Sequence, residues 1–250
     1  MNSQVQPHRV RASSAAPQAK PRIALLGEFS AGKSTLANVL LGQNVSPVQV
    51  TATQMPPIWY SHGQPACTGI RADGSEVPIP GANLTSEVLD GVRAVKVSME
   101  TEVLQFCDLI DMPGTSDPNL SMPTWEAMLS VIDGVIWCTP ASQAWRQSEA
   151  ALWEEVGGDL AESSMLLVTR MDKIAEAGNR ERILDRVRRE TAGSFSTILG
   201  ISLTEALRAG RDDALLEACG GHAVAQGLME MIHCAERRSL LRASGTGASQ

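Results

Sequence analysis

Residues 27–34 have the sequence GEFSAGKS, which fits the phosphate-loop pattern G-x-x-x-x-G-K-[ST]. The apolar run at residues 22–26 predicts a buried strand before this loop, and residues 33–41 predict a helix after it. In such a strand–loop–helix unit, backbone N–H groups surround the phosphates of a nucleotide. The pattern also predicts that Lys33 neutralises the β- and γ-phosphates and that the Ser34 hydroxyl ligates Mg²⁺.

The rest of the chain alternates between short apolar runs and helical patterns. Strands are predicted at residues 57–61, 92–99, 103–111, 131–139, 165–169 and 196–202, with a hairpin at residues 67–79. Helices are predicted at residues 122–130, 145–156, 178–192, 203–208 and 222–242. The alternation predicts an α/β fold in which a mostly parallel sheet has helices on both faces.

A single domain at residues 22–242 is expected, because no internal repeat or linker interrupts the alternation. Residues 1–21 are rich in Ser, Ala, Gln and Pro and predict a disordered leader, and residues 243–250 predict a flexible tail. Basic residues in the leader leave two alternatives. A solvated tail is favoured over a contact with a membrane or a partner.

The acidic composition argues against several classes of function. The 250 residues are 43% hydrophobic and carry a formal net charge of −7, so nucleic-acid binding, which needs a basic surface, is not expected. The sequence has no apolar run near the roughly 18 to 20 residues of a membrane span and no apolar signal segment. The five cysteines are scattered without metal-ligand spacing. These features predict a soluble cytoplasmic protein with reduced thiols.

Two later motifs identify the nucleotide. Asp111-Met-Pro-Gly114 ends a predicted strand, where Asp111 would act on Mg²⁺ and the Gly114 N–H on the γ-phosphate. Thr169-Arg-Met-Asp172 ends another predicted strand. The Asp172 carboxylate at such a position can accept both the N1–H and the N2 amino protons of guanine, and adenine has no such donor edge. The motif order therefore predicts a GTP site rather than an ATP site.

These motifs carry a resemblance to a known family. The stretches GEFSAGKSTLANVLLG, LIDMPGTSD, TPASQAWRQSEAALWEEV and LLVTRMDK together resemble the GTPase domain of the dynamin superfamily, particularly its bacterial members. The resemblance covers about residues 22–208 and implies a P-loop GTPase fold. Full dynamins continue into a long helical stalk, so the expectation is a GTPase domain without that stalk.

The resemblance also implies the site residues. It gives Ser30, Lys33 and Thr53 catalytic roles, with Ser30 orienting the attacking water and a monovalent cation (K⁺ or Na⁺). The metal ligands that it implies are Ser34, Thr53 and Asp111. The expected nucleotide contacts are Glu28, Phe29, Ser30, Ala31, Gly32, Lys33, Ser34, Thr35, Gly114, Thr169, Arg170, Asp172 and Ser202. Within this set the stem of Arg170 would pack over the base, and Ser202 would belong to the final loop behind guanine.

In the family a threonine of the switch-one loop is a ligand of Mg²⁺. More than one residue of this chain could occupy that position. Counting from Pro47 places the family position on Gln54, and a loop shorter by one residue places it on Thr53. Thr53 is preferred over Thr51. Because Thr115 follows Gly114, the chain has no glutamine placed as in small signalling GTPases. Hydrolysis is therefore expected to be slow without dimerisation or a stimulating partner.

The resemblance extends to partners. Residues 140–146 match the family loop that reaches across a head-to-head dimer, and Trp145-Arg146 would either contact a second copy or pack within the monomer. The predicted helix at residues 222–242 has one apolar face. It is expected to close its own domain, and docking of a partner protein on it is the alternative. Any membrane contact would be peripheral and made through a partner.

Two functions are compatible with these motifs. The first is a Mg²⁺-dependent GTPase that hydrolyses GTP to GDP and associates through its nucleotide face. The second is a nucleotide-sensing binding subunit with negligible turnover that holds a partner in the GTP state. The hydrolytic set Ser30, Lys33, Ser34 and Asp111 is present in the sequence, which favours the GTPase.

Overall fold

A computed structural model of the protein describes residues 20–42, 55–80, 84–115 and 128–245, with side chains as far as residue 240. The described part contains one nine-stranded sheet with the order β4-β3-β5-β2-β6-β1-β7-β8-β9. Its strands are β1 Arg22–Gly27, β2 Ile58–His62, β3 Ala66–Arg71, β4 Glu76–Pro78, β5 Val92–Met99, β6 Asp108–Asp111, β7 Gly134–Pro140, β8 Ser164–Thr169 and β9 Thr197–Gly200.

The sheet is mixed but mostly parallel, as predicted. The run β6-β1-β7-β8-β9 is parallel throughout. β2 pairs in parallel with β5 and antiparallel with β6, and β3 is antiparallel to both β4 and β5. Because the carboxyl ends of the parallel strands meet at one edge, the loops that follow β1, β6 and β8 all lie at that edge.

Helices cover both faces of the sheet. They are α1 Lys33–Leu41, α2 Gln147–Val156, α3 Ala177–Glu190, α4 Leu203–Ala209, α5 Asp213–Cys219 and α6 Gly221–Gly245. Residues of α1, α4, α5 and α6 share one apolar core with alternate residues of the strands. Residues of α2 and α3 share the core on the other face. The expected α/β layering with helices on both sides is confirmed.

Strand β1 shows how the two cores are divided. Ile23 and Leu25 face the core that contains α1 and α6, and Ala24 and Leu26 face the core that contains α2 and α3. All four side chains are fully buried, which explains why the sequence of this strand is a continuous apolar run rather than an alternating pattern.

Helix α6 closes its own domain, in agreement with the favoured alternative. Val224, Leu228, Met231 and Ile232 are buried in the core on the α1 face. The helix extends to Gly245, beyond the predicted end at residue 242. In the part of the chain that the structure describes, no helix has the length and apolar composition needed to cross a bilayer.

The structure corrects the predicted strand at residues 103–111. Val103–Gln105 form a 3₁₀ turn, and the strand covers only Asp108–Asp111. The turn is closed because the amides of Phe106 and Cys107 both donate to the carbonyl of Val103. Burial of Leu104 beneath the turn gives the segment its strand-like apolar pattern.

Two other segments differ in smaller ways. The strand predicted at residues 131–139 begins at Gly134. The Asp133 carboxylate accepts a hydrogen bond from the Arg22 amide, and the Asp133 amide donates to the Arg22 carbonyl. These two bonds end the turn that precedes the strand. Helix α5 was not predicted; the Asp212 side chain caps it by accepting from the Leu215 amide at 3.1 Å. Most of the helix predicted at residues 122–130 lies outside the described residues.

Candidate functional site

The phosphate loop connects β1 to α1 at the carboxyl edge of the sheet. Gly27 has φ +136°, and a Cβ atom at this position would lie 2.2 Å from the carbonyl oxygen of Cys138 on β7, so only glycine fits. Ser30 adopts the left-handed conformation with φ 58°. A non-glycine residue held in this region is typical of strained functional loops.

Lys33 is folded back onto its own loop. Its Nζ atom donates to the carbonyls of Gly27 and Glu28, each at 2.9 Å, and the residue is only 7% exposed. Burial lowers the pKa of Lys33, and the nearby Asp111 carboxylate opposes that shift. The loop thus places a largely desolvated ammonium group beside the carboxylate that ends β6.

The Asp111 carboxylate has the properties of a metal ligand. It is 8% exposed, and its Oδ1 atom is buried without a hydrogen-bond partner among the described residues. Burial raises the pKa of Asp111, whereas a hydrogen bond with Ser34 and the charge of Lys33 lower it. An unpartnered buried carboxylate oxygen next to a hydroxyl is a donor pair that suits Mg²⁺. The residues present therefore fit the predicted cation. Thr53 and Thr51 lie outside the described residues.

Gly114 brings the second motif against the phosphate loop. A Cβ atom on Gly114 would lie 2.9 Å from the Phe29 nitrogen, so the two backbones pack directly on each other. The Thr115 amide also donates to the Gly27 carbonyl at 3.2 Å. The segment after β6 is therefore placed where its N–H groups could contact a bound γ-phosphate.

The Thr169-Arg-Met-Asp172 motif is bonded to the same loop. The Thr169 hydroxyl is buried and donates to the Ala31 carbonyl at 2.7 Å. Arg170, with φ 57°, donates from its guanidinium to the Ser30 carbonyl at 2.5 Å. These bonds fix the end of β8 at the phosphate loop, and Asp172 follows two residues later.

Asp172 is oriented by two neighbours. The Ser202 hydroxyl donates to its Oδ1 atom at 3.2 Å, and Lys173 lies 3.4 Å from Oδ2. Ser202 is 2% exposed and also caps α4 through the Glu205 amide. Its side chain therefore contacts Asp172, and its role behind guanine stays a prediction.

The three motifs converge on one cavity of about 760 Å³. Its lining includes most of the predicted contacts, namely Phe29, Ser30, Gly32, Lys33, Ser34, Thr35, Asp111, Gly114, Arg170 and Asp172. Four predicted residues with described positions are not part of this lining. Glu28 and Ser202 contact it through their bonds with Lys33 and Asp172, and Ala31 and Thr169 are bonded to each other.

Several lining residues were not predicted. They are Asn38, Met55, Pro56, Ile58, Tyr60, Met112, Pro113, Lys173, Leu203 and Thr204. Leu203 and Thr204 begin α4 directly after Ser202, so the predicted guanine loop is close to the residues that reach the cavity. Tyr60 is 4% exposed, and burial together with Asp111 raises the pKa of its phenol. Its place on β2, diagonal to Asp111, depends on a strand register that local sequence does not reveal.

Trp145 packs within the monomer. Its ring makes edge contacts with Trp137 and Phe195, and the residue is 9% exposed. Its backbone is left-handed with φ 59°. The structure therefore supports monomer packing for this tryptophan, while the Arg146 side chain reaches the phosphate loop and pairs with Glu28.

Two bacterial proteins are similar to the chain in sequence. No protein-family model matches the chain. Dynamin-like protein 2 of Campylobacter jejuni is 25% identical over 192 residues, which cover 74% of this chain and 31% of that protein. The isoniazid-induced protein IniC of Mycobacterium tuberculosis is 27% identical over 154 residues, or 55% of this chain and 30% of the relative. The chain spans about a third of the length of these curated relatives.

Solved structures show the fold. A chain from an oligomerised bacterial dynamin pair, described as a mechanism for long-range sensing and tethering of membranes, matches 90% of this chain with a TM-score of 0.64. The match covers 41% of that chain at 14% identity. A second chain from such a pair gives a TM-score of 0.61 over 90% of this chain and 37% of its own length, at 18% identity. These likenesses show the fold of the chain, a mixed sheet with helices on both faces as in P-loop GTPase domains.

Proposed function

From the sequence and fold resemblance of this chain to a bacterial dynamin-like GTPase domain, we propose that it binds GTP with Mg²⁺ and hydrolyses it slowly to GDP. One observation carries the proposal. Three separate motifs supply residues that line one cavity. They are the phosphate-loop lysine, the carboxylate expected to read the base, and a buried carboxylate whose Oδ1 atom has no partner among the described residues. No single motif of the three would support it as well, because each also occurs in unrelated turns.

Phosphate binding would rest on the loop and on α1. Lys33 lies at the start of α1, where backbone N–H groups and the helix dipole favour an anion. Ser34 and Asp111 would hold Mg²⁺. A bound Mg²⁺ would neutralise the charge that builds up on the phosphate oxygens during hydrolysis. The proposal also includes Thr53 as a further ligand of Mg²⁺ and a monovalent cation held near Ser30.

The attacking water would be oriented by loop groups. The left-handed conformation of Ser30 turns this residue toward the cavity, where it is a lining residue. Its hydroxyl can accept or donate a hydrogen bond to water. We assign the water to Ser30 together with Thr53, and general-base catalysis by a dedicated carboxylate is not required for phosphoryl transfer.

Guanine would be recognised by Asp172. The carboxylate faces the cavity and is held by Ser202 and Lys173. Two charge-assisted bonds to guanine would be lost with adenine, and the desolvated carboxylate would then have no partner from the base. Arg170, anchored on the Ser30 carbonyl, would place its stem along the base.

Replacement of Asp172 by asparagine tests this assignment. Asp172→Asn should weaken GTP binding about ten-fold or more, since a charge-assisted hydrogen bond contributes about 1.5–3 kcal/mol. The amide can donate to the 2-oxo group of xanthine, so the variant should gain affinity for XTP. Fluorescence titration with GTP, XTP and ATP measures all three affinities. Asp185→Asn, on the exposed side of α3, is the matched control.

Equal affinity of the wild-type protein for ATP and GTP would refute the guanine assignment. Unchanged GTP affinity in Asp172→Asn would place the base elsewhere in the cavity.

GTP-dependent association through the nucleotide face is a finer part of the proposal. The similar solved structure is an oligomerised dynamin pair, and here Arg146 lies beside the phosphate loop with its side chain 43% exposed. We propose that residues 140–146 contribute to a homodimer through Arg146, with Trp145 as its buried anchor. Peripheral membrane contact through a partner, and a partner on α6, are further expectations.

A steady-state GTP hydrolysis assay over a wide range of protein concentration tests both turnover and association. Turnover per molecule should rise with concentration, because the dimer is the faster species. A constant turnover per molecule would argue against the dimer but leave the GTPase. Tight GTP binding without turnover would instead indicate the nucleotide-sensing binding subunit.

A further inference from the structure

Glu28 joins the phosphate loop to the start of α2. Its carboxylate accepts a hydrogen bond from the Ser148 hydroxyl on Oε1 at 3.1 Å, and the Arg146 guanidinium pairs with Oε2. Its backbone carbonyl meanwhile accepts from Lys33 Nζ and from the Ala31 amide. Glu28 therefore links the side chains of Arg146 and Ser148, near the α2 N-terminus, to the Lys33 ammonium group that would bind phosphate.

The α2 side of this link is firmly held. The Glu149 carboxylate is 1% exposed and accepts hydrogen bonds from the Trp137 indole, the Thr139 hydroxyl and the Arg146 amide, each at 3.0 Å. Buried networks that are fully satisfied in this way fix a single geometry. The backbone of Arg146 is thus held rigidly, and the fold determines where its guanidinium lies.

Backbone strain is stored at the same place. Trp145 has φ 59°, a conformation that is unfavourable for a non-glycine residue and persists only where packing imposes it. The packing is the contact of its ring with Trp137 and Phe195, together with the bond from its amide to the Thr139 hydroxyl. A strained residue directly before Arg146 indicates a position under functional constraint.

We propose that Arg146 and Ser148 are positioning residues of the phosphate loop, acting through Glu28. In this arrangement the segment at residues 140–148 sets the conformation of the loop and hence its affinity for nucleotide. A second copy of the chain that engages Arg146 would withdraw it from Glu28 and change that affinity. The regulatory role rests on the proposed GTPase function, whereas the mechanical link between the two segments does not.

The size of the effect follows from exposure. The Glu28 side chain is 15% exposed and that of Arg146 is 43% exposed, so solvent screens the pair in part. A partly exposed charged pair should change nucleotide affinity about five-fold, well short of the loss expected for Lys33. A surface pair with no role in the loop would change affinity by less than about two-fold.

The test combines three variants with two measurements. Arg146→Ala, Ser148→Ala and Glu28→Gln are compared with wild type, and Arg182→Ala on α3 is the control for loss of an exposed arginine. Hydrogen–deuterium exchange in the nucleotide-free protein should be about three-fold or more faster at residues 27–33 in Arg146→Ala. GTP affinity should fall about five-fold.

Coupling and rescue distinguish positioning from a general loss of stability. The double variant Arg146→Ala/Glu28→Gln should be no worse than Glu28→Gln alone, because both changes break one link. Arg146→Lys, which keeps the charge, should recover part of the affinity, and high salt should reduce the difference between Arg146→Ala and wild type.

The outcomes separate the inference from the function. Unchanged exchange at residues 27–33 in both Arg146→Ala and Glu28→Gln would overturn the inference, whether or not the protein binds GTP. Strictly additive losses in the double variant would overturn it as well. Faster exchange in a protein that binds no GTP would support the mechanical link and refute the proposed function.

Discussion

Lys33→Ala will abolish tight GTP binding, with affinity lowered about a hundred-fold or more, or about 2.8 kcal/mol. Lys33 is the only side-chain cation that the phosphate loop supplies, and it is nearly buried beside the Asp111 carboxylate. Its removal takes away the ammonium charge that the loop provides to both the phosphates and that carboxylate. Titration with a fluorescent GTP analogue gives the affinity.

Lys96→Ala is the matched control for this experiment, because Lys96 lies on β5 and pairs with the exposed Glu76 away from the cavity. Circular dichroism should show that both variants remain folded. An unchanged dissociation constant for Lys33→Ala would remove the phosphate loop from the nucleotide site and with it the proposed function.

Ser30→Ala and Thr53→Ala should each lower GTP hydrolysis by about 10², or about 3 kcal/mol of transition-state stabilisation, and leave GDP affinity nearly intact. Both residues are proposed to act on the attacking water and its neighbouring cations rather than on ground-state phosphate binding. Their combined loss should be less than additive, because they act on one water. Single-turnover hydrolysis and GDP titration separate the two effects.

Two further variants serve as controls for this experiment. Ser30→Gly removes the hydroxyl while favouring the observed φ of 58°, so a loss shared with Ser30→Ala reports the hydroxyl and not backbone strain. Thr51→Ala should be silent. If Thr51→Ala is damaging and Thr53→Ala is not, the assigned register is wrong by two residues. If no variant matters, the binding-subunit alternative replaces the GTPase.

The sequence is most informative where chemistry is local. The phosphate loop and the Asp111 and Asp172 motifs each consist of adjacent residues at a strand end, so spacing alone predicts which side chains meet at the sheet edge. The convergence of all three on one cavity follows from the parallel order of β1, β6 and β8. Local pattern also predicts α1 with the bounds that the structure shows.

Contacts between distant parts of the chain cannot be predicted from local sequence patterns. Glu28 and Arg146 are 118 residues apart in the chain, and nothing in either local sequence indicates that they pair. The pattern around Leu104 predicts a strand because an apolar residue beneath a 3₁₀ turn is as buried as one in a sheet. Tyr60 reaches the cavity only because β2 runs antiparallel to β6, a choice fixed by the whole sheet.

The two edges of the sheet have a consequence for behaviour in concentrated solution. One edge, β4, is three residues long and ends in Pro78, and the other, β9, is four residues long. Proline has no N–H to offer an incoming strand, and Glu76 places a partly exposed carboxylate on the β4 edge. Neither edge is thus a good template for aggregation. A copy of the chain that meets either edge of the described sheet therefore finds few backbone groups to pair with.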